Sequence, residues 1–191
     1  METLEQKIAR VVKEAVAVVP YDPCWPKMFE QERLHLLSCL SADVVKRNEH
    51  FGSTAVPGLW AKPVVDILVE VTSLHETRQR IVPILEAQGY EYFWRPSFGD
   101  DTPPFYAWFI KRDKNGNRTY HIHMVEADFE HWDRLLFRDF LIDFPEVARE
   151  YGDLKKRFSG EHENDRVAYM EAKAEFIRRI TKKAKIFYKK G

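Results

Sequence analysis

The sequence predicts an α+β fold, a mixed β-sheet flanked by helices with a helical cover at the C-terminal end. Three observations carry that prediction. The β-prone runs all fall between residues 43 and 126. One pair of them is joined through Lys114-Asn115-Gly116-Asn117, and Asn-Gly between such runs is a strong hairpin signal. From His131 onward the apolar spacing becomes helical and stays so.

A chain of 191 residues with 45% hydrophobic content can bury a substantial core, so a single domain spanning 1–191 is expected, residues 1–15 forming an extra N-terminal helix and 130–190 the C-terminal helices. Leu4, Ile8, Val11, Val12 and Ala15 recur at helical spacing, which predicts an amphipathic helix from Glu2 to about Val16. Val16 to Val19 reads as extended. Pro20 and Pro23 fix a turn, and Pro26 suits the first turn of a helix to Leu40 whose apolar side would be Phe29, Leu34, Leu37 and Leu40. Asp43 to Phe51 reads as a strand running into the bend at Gly52-Ser53, and Val64 to Val69 as a buried strand. Ser73 caps a helix that Gly89 stops and Pro83 bends. Tyr90 to Trp94 is a strand, and the three prolines of Arg95 to Pro104 make a loop. Phe105 to Arg112 and Arg118 to Glu126 are the hairpin strands. Helices follow over Trp132 to Asp143, Pro145 to Phe158 and about Asn164 to Tyr188.

Composition narrows the function classes. Thirty Lys and Arg balance thirty Asp and Glu, so a broad phosphate-tracking surface is not implied and nucleic acid is not the expected partner. The cationic tail, Arg178 to Lys190, reads first as a solvated helix end that complements the dipole. Cys24 and Cys39 lack ligand spacing and no secretion signal is apparent, which reads as a reduced, cytoplasmic protein. No apolar run approaches bilayer length, so no membrane partner is expected.

Two features suggest chemistry. Gly52-Ser53 gives a bend with a hydroxyl and N–H groups at the start of a helical turn, an arrangement that holds phosphate, although most Gly-Ser turns bind nothing. Asp66 interrupts an apolar strand, and a carboxylate there needs a partner, either a metal or a cation such as Lys62 or His50.

The stretch His50-Phe51-Gly52-Ser53-Thr54-Ala55-Val56-Pro57-Gly58-Leu59, with Ala61-Lys62-Pro63 and Asp66-Ile67-Leu68-Val69, closely resembles the signature of the GrpB-like family. Tyr21-Asp22-Pro23, Trp25-Pro26, His121-Ile122-His123, Phe137-Arg138-Asp139, Pro145-Glu146, Tyr151, Leu154-Lys155, Tyr169, Lys173 and Phe176-Ile177 match as well, so the resemblance runs from about Val16 to Ile180. It implies the nucleotidyltransferase superfamily and its mixed sheet. In active members of that superfamily the Gly-Ser turn holds the triphosphate, and a strand Asp-x-Asp or Asp-x-Glu with a third carboxylate holds two Mg²⁺. The phosphate-binding set it implies here is Gly52, Ser53, Thr54, Lys62, Arg138 and Lys173, for a nucleotide or phosphorylated small molecule.

Leu68 stands where the second acid belongs, and leucine ligates nothing. Glu70 shares the face of Asp66 but lies about 13 Å along an extended strand by the per-residue rise, less if twisted. His121 and His123, two apart on a predicted strand, project together where the third carboxylate would lie, and are candidates for metal binding and proton transfer. The catalytic expectation is therefore Asp66 with His123 and His121, and the metal-binding expectation is Asp66, His121, His123 and His50, with Mg²⁺ or Mn²⁺ ahead of Zn²⁺. Trp94, Phe105, Tyr106 and Trp108 either wall a base-stacking pocket or belong to the core. Three readings stand: a nucleotidyltransferase-type enzyme, a non-catalytic phosphate-binding module that lost its second acid, and a histidine-centred metal enzyme.

Overall fold

A computed structural model describes residues 4–12, 14, 17–97, 102–161 and 166–189. The expected N-terminal helix is α1, Leu4–Val12; its predicted ends at Glu2 and Val16 fall outside the described residues. Helix α2 spans Trp25–Cys39 with Pro26 in its first turn, as the fixed φ of proline favours. Five strands follow: β1 Val45–Phe51, β2 Val65–Val71, β3 Glu91–Pro96, β4 Phe105–Arg112 and β5 Arg118–Val125. They form one sheet in the order β1-β2-β5-β4-β3. Strands β2 and β5 are parallel and every other pairing is antiparallel, so the sheet is mixed, as predicted.

Between β2 and β3 the chain forms one composite helix, α3 Leu74–Glu76, a π-helical turn Thr77–Ile81 and α4 Val82–Ala87. The Ser73 hydroxyl caps it, accepting from the Glu76 N–H. The expected bend at Pro83 takes the form of that wide turn. Proline has no N–H for the carbonyl four residues back and its ring crowds that carbonyl, so an extra residue in the preceding turn relieves both. After β5 come α5 Asp133–Asp143, α6 Pro145–Glu161, α7 Arg166–Ala172 and α8 Ala174–Tyr188. The last predicted helix is thus two, interrupted at Lys173, and its predicted start at Asn164 is outside the described residues.

The strand alternation of β2 separates the two faces of the sheet. Val65, Ile67, Val69 and Val71 pack with Trp25 and Leu36 of α2, Leu85 of α4 and Phe109, Ile122 and Met124 of the neighbouring strands. Leu68 packs on the other side with Phe51, Tyr106, Trp108, Val11 of α1 and Leu135 of α5. A third cluster joins Val56 and Leu59, from the β1–β2 connection, to Tyr151 of α6 and Phe176 and Ile180 of α8. The C-terminal helices therefore close over the connection that carries the Gly-Ser turn.

Helix α2 departs from its predicted face. Leu34 and Leu37 are exposed, while Leu36 and the charged Glu32 are buried. Glu32 accepts a hydrogen bond from the Tyr90 hydroxyl and another from Lys111 Nζ at 2.6 Å. A buried carboxylate with two donors is well tolerated, and this one sets the rotation of the helix. The predicted aromatic foursome is divided as well. Trp94 stacks on Phe105, whereas Tyr106 and Trp108 lie in the cluster on the opposite face.

Candidate phosphate and metal site

Parallel pairing aligns Asp66 with His121 and Leu68 with His123 on adjacent strands, so the carboxylate and both imidazoles share a face. His121 Nδ1 lies 3.1 Å from Asp66 Oδ1. Arg118 Nη1 approaches His121 Nε2 at 3.4 Å, and a guanidinium can only donate, so the ring proton sits on Nδ1 and is donated to Asp66. Glu14 Oε2 and the Val11 carbonyl hold Arg118 in turn, at 2.5 and 2.6 Å. His123 Nε2 is 4.0 Å from the same Asp66 oxygen. Burial above all, then the charge of Arg134, pushes the His123 imidazolium far down, and its Nδ1 is buried without a partner.

One ligand atom from each of Asp66, His121 and His123 lies within 4.8 Å of the others, the one such trio among the described residues. One carboxylate with two imidazoles fits Mn²⁺ or Zn²⁺ by donor chemistry, whereas Mg²⁺ would rely on Asp66, water and ligand phosphates. Leu68 is fully buried and leaves no second carboxylate at its position. His50 stands apart from the trio. Its residue pairs with Ile67 rather than Asp66, its ring stacks on Phe29 of α2, and its Nε2 lies 3.0 Å from Thr54 Oγ1. Burial holds it down to about 4. The expected third imidazole ligand is thus a packed histidine on the other side of β1, and Thr54 is engaged in positioning it.

The Gly-Ser turn sits against Asp66. Gly52 has φ +72°, and a Cβ there would lie 2.5 Å from Asp66 Oδ2, so both its backbone and its contact demand glycine. Ser53 opens a 3₁₀ turn, Ser53–Ala55, and its hydroxyl acts on the phenol of the buried Tyr151, opposing the upward push that burial gives it. Beyond Tyr151 the lysines gather. Lys155 donates to the Trp60 carbonyl and lies 4.7 Å from the Tyr151 ring centroid. Lys62 and Lys173 lie 4.7 and 4.5 Å from the centroid of Tyr169. Burial first, and then the charge of Lys173, brings Lys155 down to about 6. Lys155 is 1% exposed, and no carboxylate among the described residues pairs with it. Arg138 does not join them. It bonds Asp139 Oδ1, Glu49 Oε2 and the His50 carbonyl at 2.7, 3.0 and 2.7 Å, which leaves it a clasp between α5 and β1.

The structure thus brings together Gly52, Ser53, Asp66, His121 and His123, with Lys62, Lys155 and Lys173 reached through two tyrosines. Two residues were not anticipated. His131, 2% exposed, accepts from Arg134 Nη2 at 2.9 Å and packs its ring 4.5 Å from that of Tyr106. The available signal was their spacing of three at the head of a helix, which puts both on one side.

A Gly-Ser turn set against a strand aspartate in a mixed sheet, closed by lysine-bearing helices, defines an α+β protein with its polar site at the β1–β2 connection. The chain belongs to the GrpB protein family, whose pattern matches residues 15–183. A UPF0157 protein of Pseudomonas aeruginosa is 36% identical over 187 residues, covering 94% of this chain and 72% of that protein. The crystal structure of conserved protein GrpB from Enterococcus faecalis superposes with a TM-score of 0.78 at 34% identity, covering 90% of this chain and 99% of that one. A more distant likeness is to the Cid1 poly(U) polymerase, with a TM-score of 0.45 at 13% identity over 75% of this chain and 43% of that one.

Proposed function

We propose that this protein is of nucleotidyltransferase type and binds a nucleotide or another phosphorylated small molecule, its phosphates lying between the Gly52-Ser53 turn and the lysines, with a divalent metal at Asp66. The observation that carries this reading is Lys155, a buried amine whose charged neighbour is another lysine. A buried amine beside another cation, with no carboxylate in an ion pair with it among the described residues, favours an incoming anion. Ser53 reaches the same cluster through Tyr151. A Mg²⁺ or Mn²⁺ ion would supply charge neutralisation on the phosphate oxygens. Asp66 and His123 would hold it, and His121, with Nδ1 on the carboxylate and Nε2 facing Arg118, would orient Asp66.

A specific observation favours a second reading. Leu68 is embedded in the apolar cluster with Phe51 and Trp108, so the position of the second acid has become core. A phosphate-binding module without chemistry follows from that.

Thermal unfolding against a panel of nucleoside triphosphates, each with Mg²⁺, Mn²⁺, Zn²⁺ or EDTA, separates the two readings. A ligand at one hundred times its dissociation constant adds about 2.7 kcal/mol. A metal-dependent shift abolished by Asp66→Asn supports the transferase type. A shift that needs neither metal nor Asp66 supports the module, and no shift with any nucleotide removes the nucleotide as the ligand of either.

A further inference from the structure

A second cationic group lies on the Asp66 face of the sheet. Arg134, on α5, has its guanidinium 5.8 Å from the Phe51 ring centroid and donates to the neutral ring of His131. Arg95, on β3, has its guanidinium 4.7 Å from the centroid of Trp108. Neither is paired with a carboxylate among the described residues, in contrast to Arg112, Arg118 and Arg138, each of which is held by at least one. The charges of both arginines bear on His123 and His131, and that of Arg95 bears on Arg134.

The surroundings are aromatic. Tyr106 stacks on His123 with centroids 5.5 Å apart, and Trp108 lies 6.2 Å from the same ring. Within this wall His123 Nδ1 and Trp108 Nε1 are buried and have no hydrogen-bond partner. Unmet buried polar atoms of this kind need explaining in a folded protein. Each guanidinium is set against a ring, neither is in an ion pair with a carboxylate among the described residues, and a guanidinium's planar fork of donors matches carboxylate or phosphate. The charge of Asp66 bears on both Tyr151 and Arg134.

We propose that Arg134 and Arg95 form an anion subsite for a second ligand, a small molecule whose carboxylate or phosphate pairs with the guanidiniums where they meet the buried aromatic wall. Its role as co-substrate of the nucleotide rests on the reading above; the subsite itself does not. His131 positions Arg134 by accepting its Nη2 proton, and burial together with the two arginines keeps that ring neutral, down to about 2.

The test is a titration of the full ¹⁵N-labelled chain with inorganic phosphate and, separately, with benzoate, following the indole N–H of Trp108, identified with Trp108→Phe, and the Nε–H of Arg134. Saturable shifts with either probe are expected, and the probe that binds more tightly distinguishes phosphate from carboxylate. Arg134→Gln should weaken binding about tenfold, Arg134→Lys should restore part of it, and Lys173→Gln should leave it unchanged. Absence of any saturable shift overturns the proposal, as do shifts that survive Arg134→Gln and Arg95→Gln together or vanish only in Lys173→Gln. This last outcome would leave the lysine site standing alone. Anion binding at the arginines without any nucleotide response would instead remove the nucleotide reading and keep the subsite.

Discussion

Glu32 and Lys155 are buried to nearly the same degree, at 3% and 1% exposure, and the chain treats them in opposite ways. Glu32, on the helix-packed face, receives a phenol from Tyr90, just before β3, and an ammonium from Lys111 of β4. Lys155, under the C-terminal helices, has a carbonyl, a ring and the charge of a second lysine. A buried charge whose partners all lie in the chain has a structural role. A buried charge whose neighbours repel it is the mark of a site completed from outside.

The comparison breaks most visibly at Glu32. Glu32→Ala strands the Lys111 ammonium and the Tyr90 hydroxyl, and because Lys111 retains some access to water the expected loss is near the low end for a broken buried pair, about 3 kcal/mol. Urea unfolding measures it, and a change below about 1 kcal/mol would mean the pair is not what orients α2. Lys155→Met is expected to behave in the reverse manner. Stability at pH 7 should rise, since folding no longer has to strip the proton that the unfolded chain keeps on this amine. Affinity for the nucleotide or phosphate ligand should fall by about 2 kcal/mol, the value of a hydrogen bond to a charged group. Calorimetry on the folded variant reads both, and unchanged affinity would take the lysine out of the site.

The same lysine also sets a pH dependence. Lys155 falls from 10.5 to about 6 on folding, so across that window the unfolded chain holds a proton that the folded chain lacks. Stability therefore rises with pH from about 6 toward 10.5, and Lys155→Met should flatten that slope. Ligand binding runs the other way. A polyanion favours the charged amine, so the complex takes up a proton and affinity falls as pH rises above about 6, which titrations in buffers of different ionisation enthalpy detect. On the acid side His50, lowered from 6.5 to about 4, adds a loss of stability as pH falls below 6.5, and His50→Asn should reduce it.

The sheet was readable because its signals are local: an Asn-Gly turn, alternating residues and a capping serine each act within a few positions. So was the pairing of Asp66 with His121 and His123, although only the family resemblance pointed to the neighbouring strand. What escaped the sequence was long-range. The face of α2 was taken from leucine spacing, but it is decided by Tyr90 and Lys111, 58 and 79 residues from Glu32. His50 looked like a third ligand because it adjoins the glycine-serine bend, yet strand alternation directs it toward Phe29. Arg138 looked like a phosphate contact until Glu49, far upstream, supplied its anion. Arg134 and His131 carried no motif at all. Their significance depends on lacking an acid in three dimensions, which no local pattern records.

Asp66 and His121 are 55 residues apart, and the strands that carry them lie side by side only because β5 inserts between β2 and β4. Contacts closed over so long a stretch form slowly and only after the later segment exists. On the ribosome, then, the first half of this polypeptide emerges with Asp66 on a strand whose second neighbour has not yet been synthesised. Its lysine-bearing lid follows later still, since Trp60 waits 95 residues for Lys155. The contacts that surround the Gly-Ser turn and Asp66 therefore come together only after residue 155 has been made.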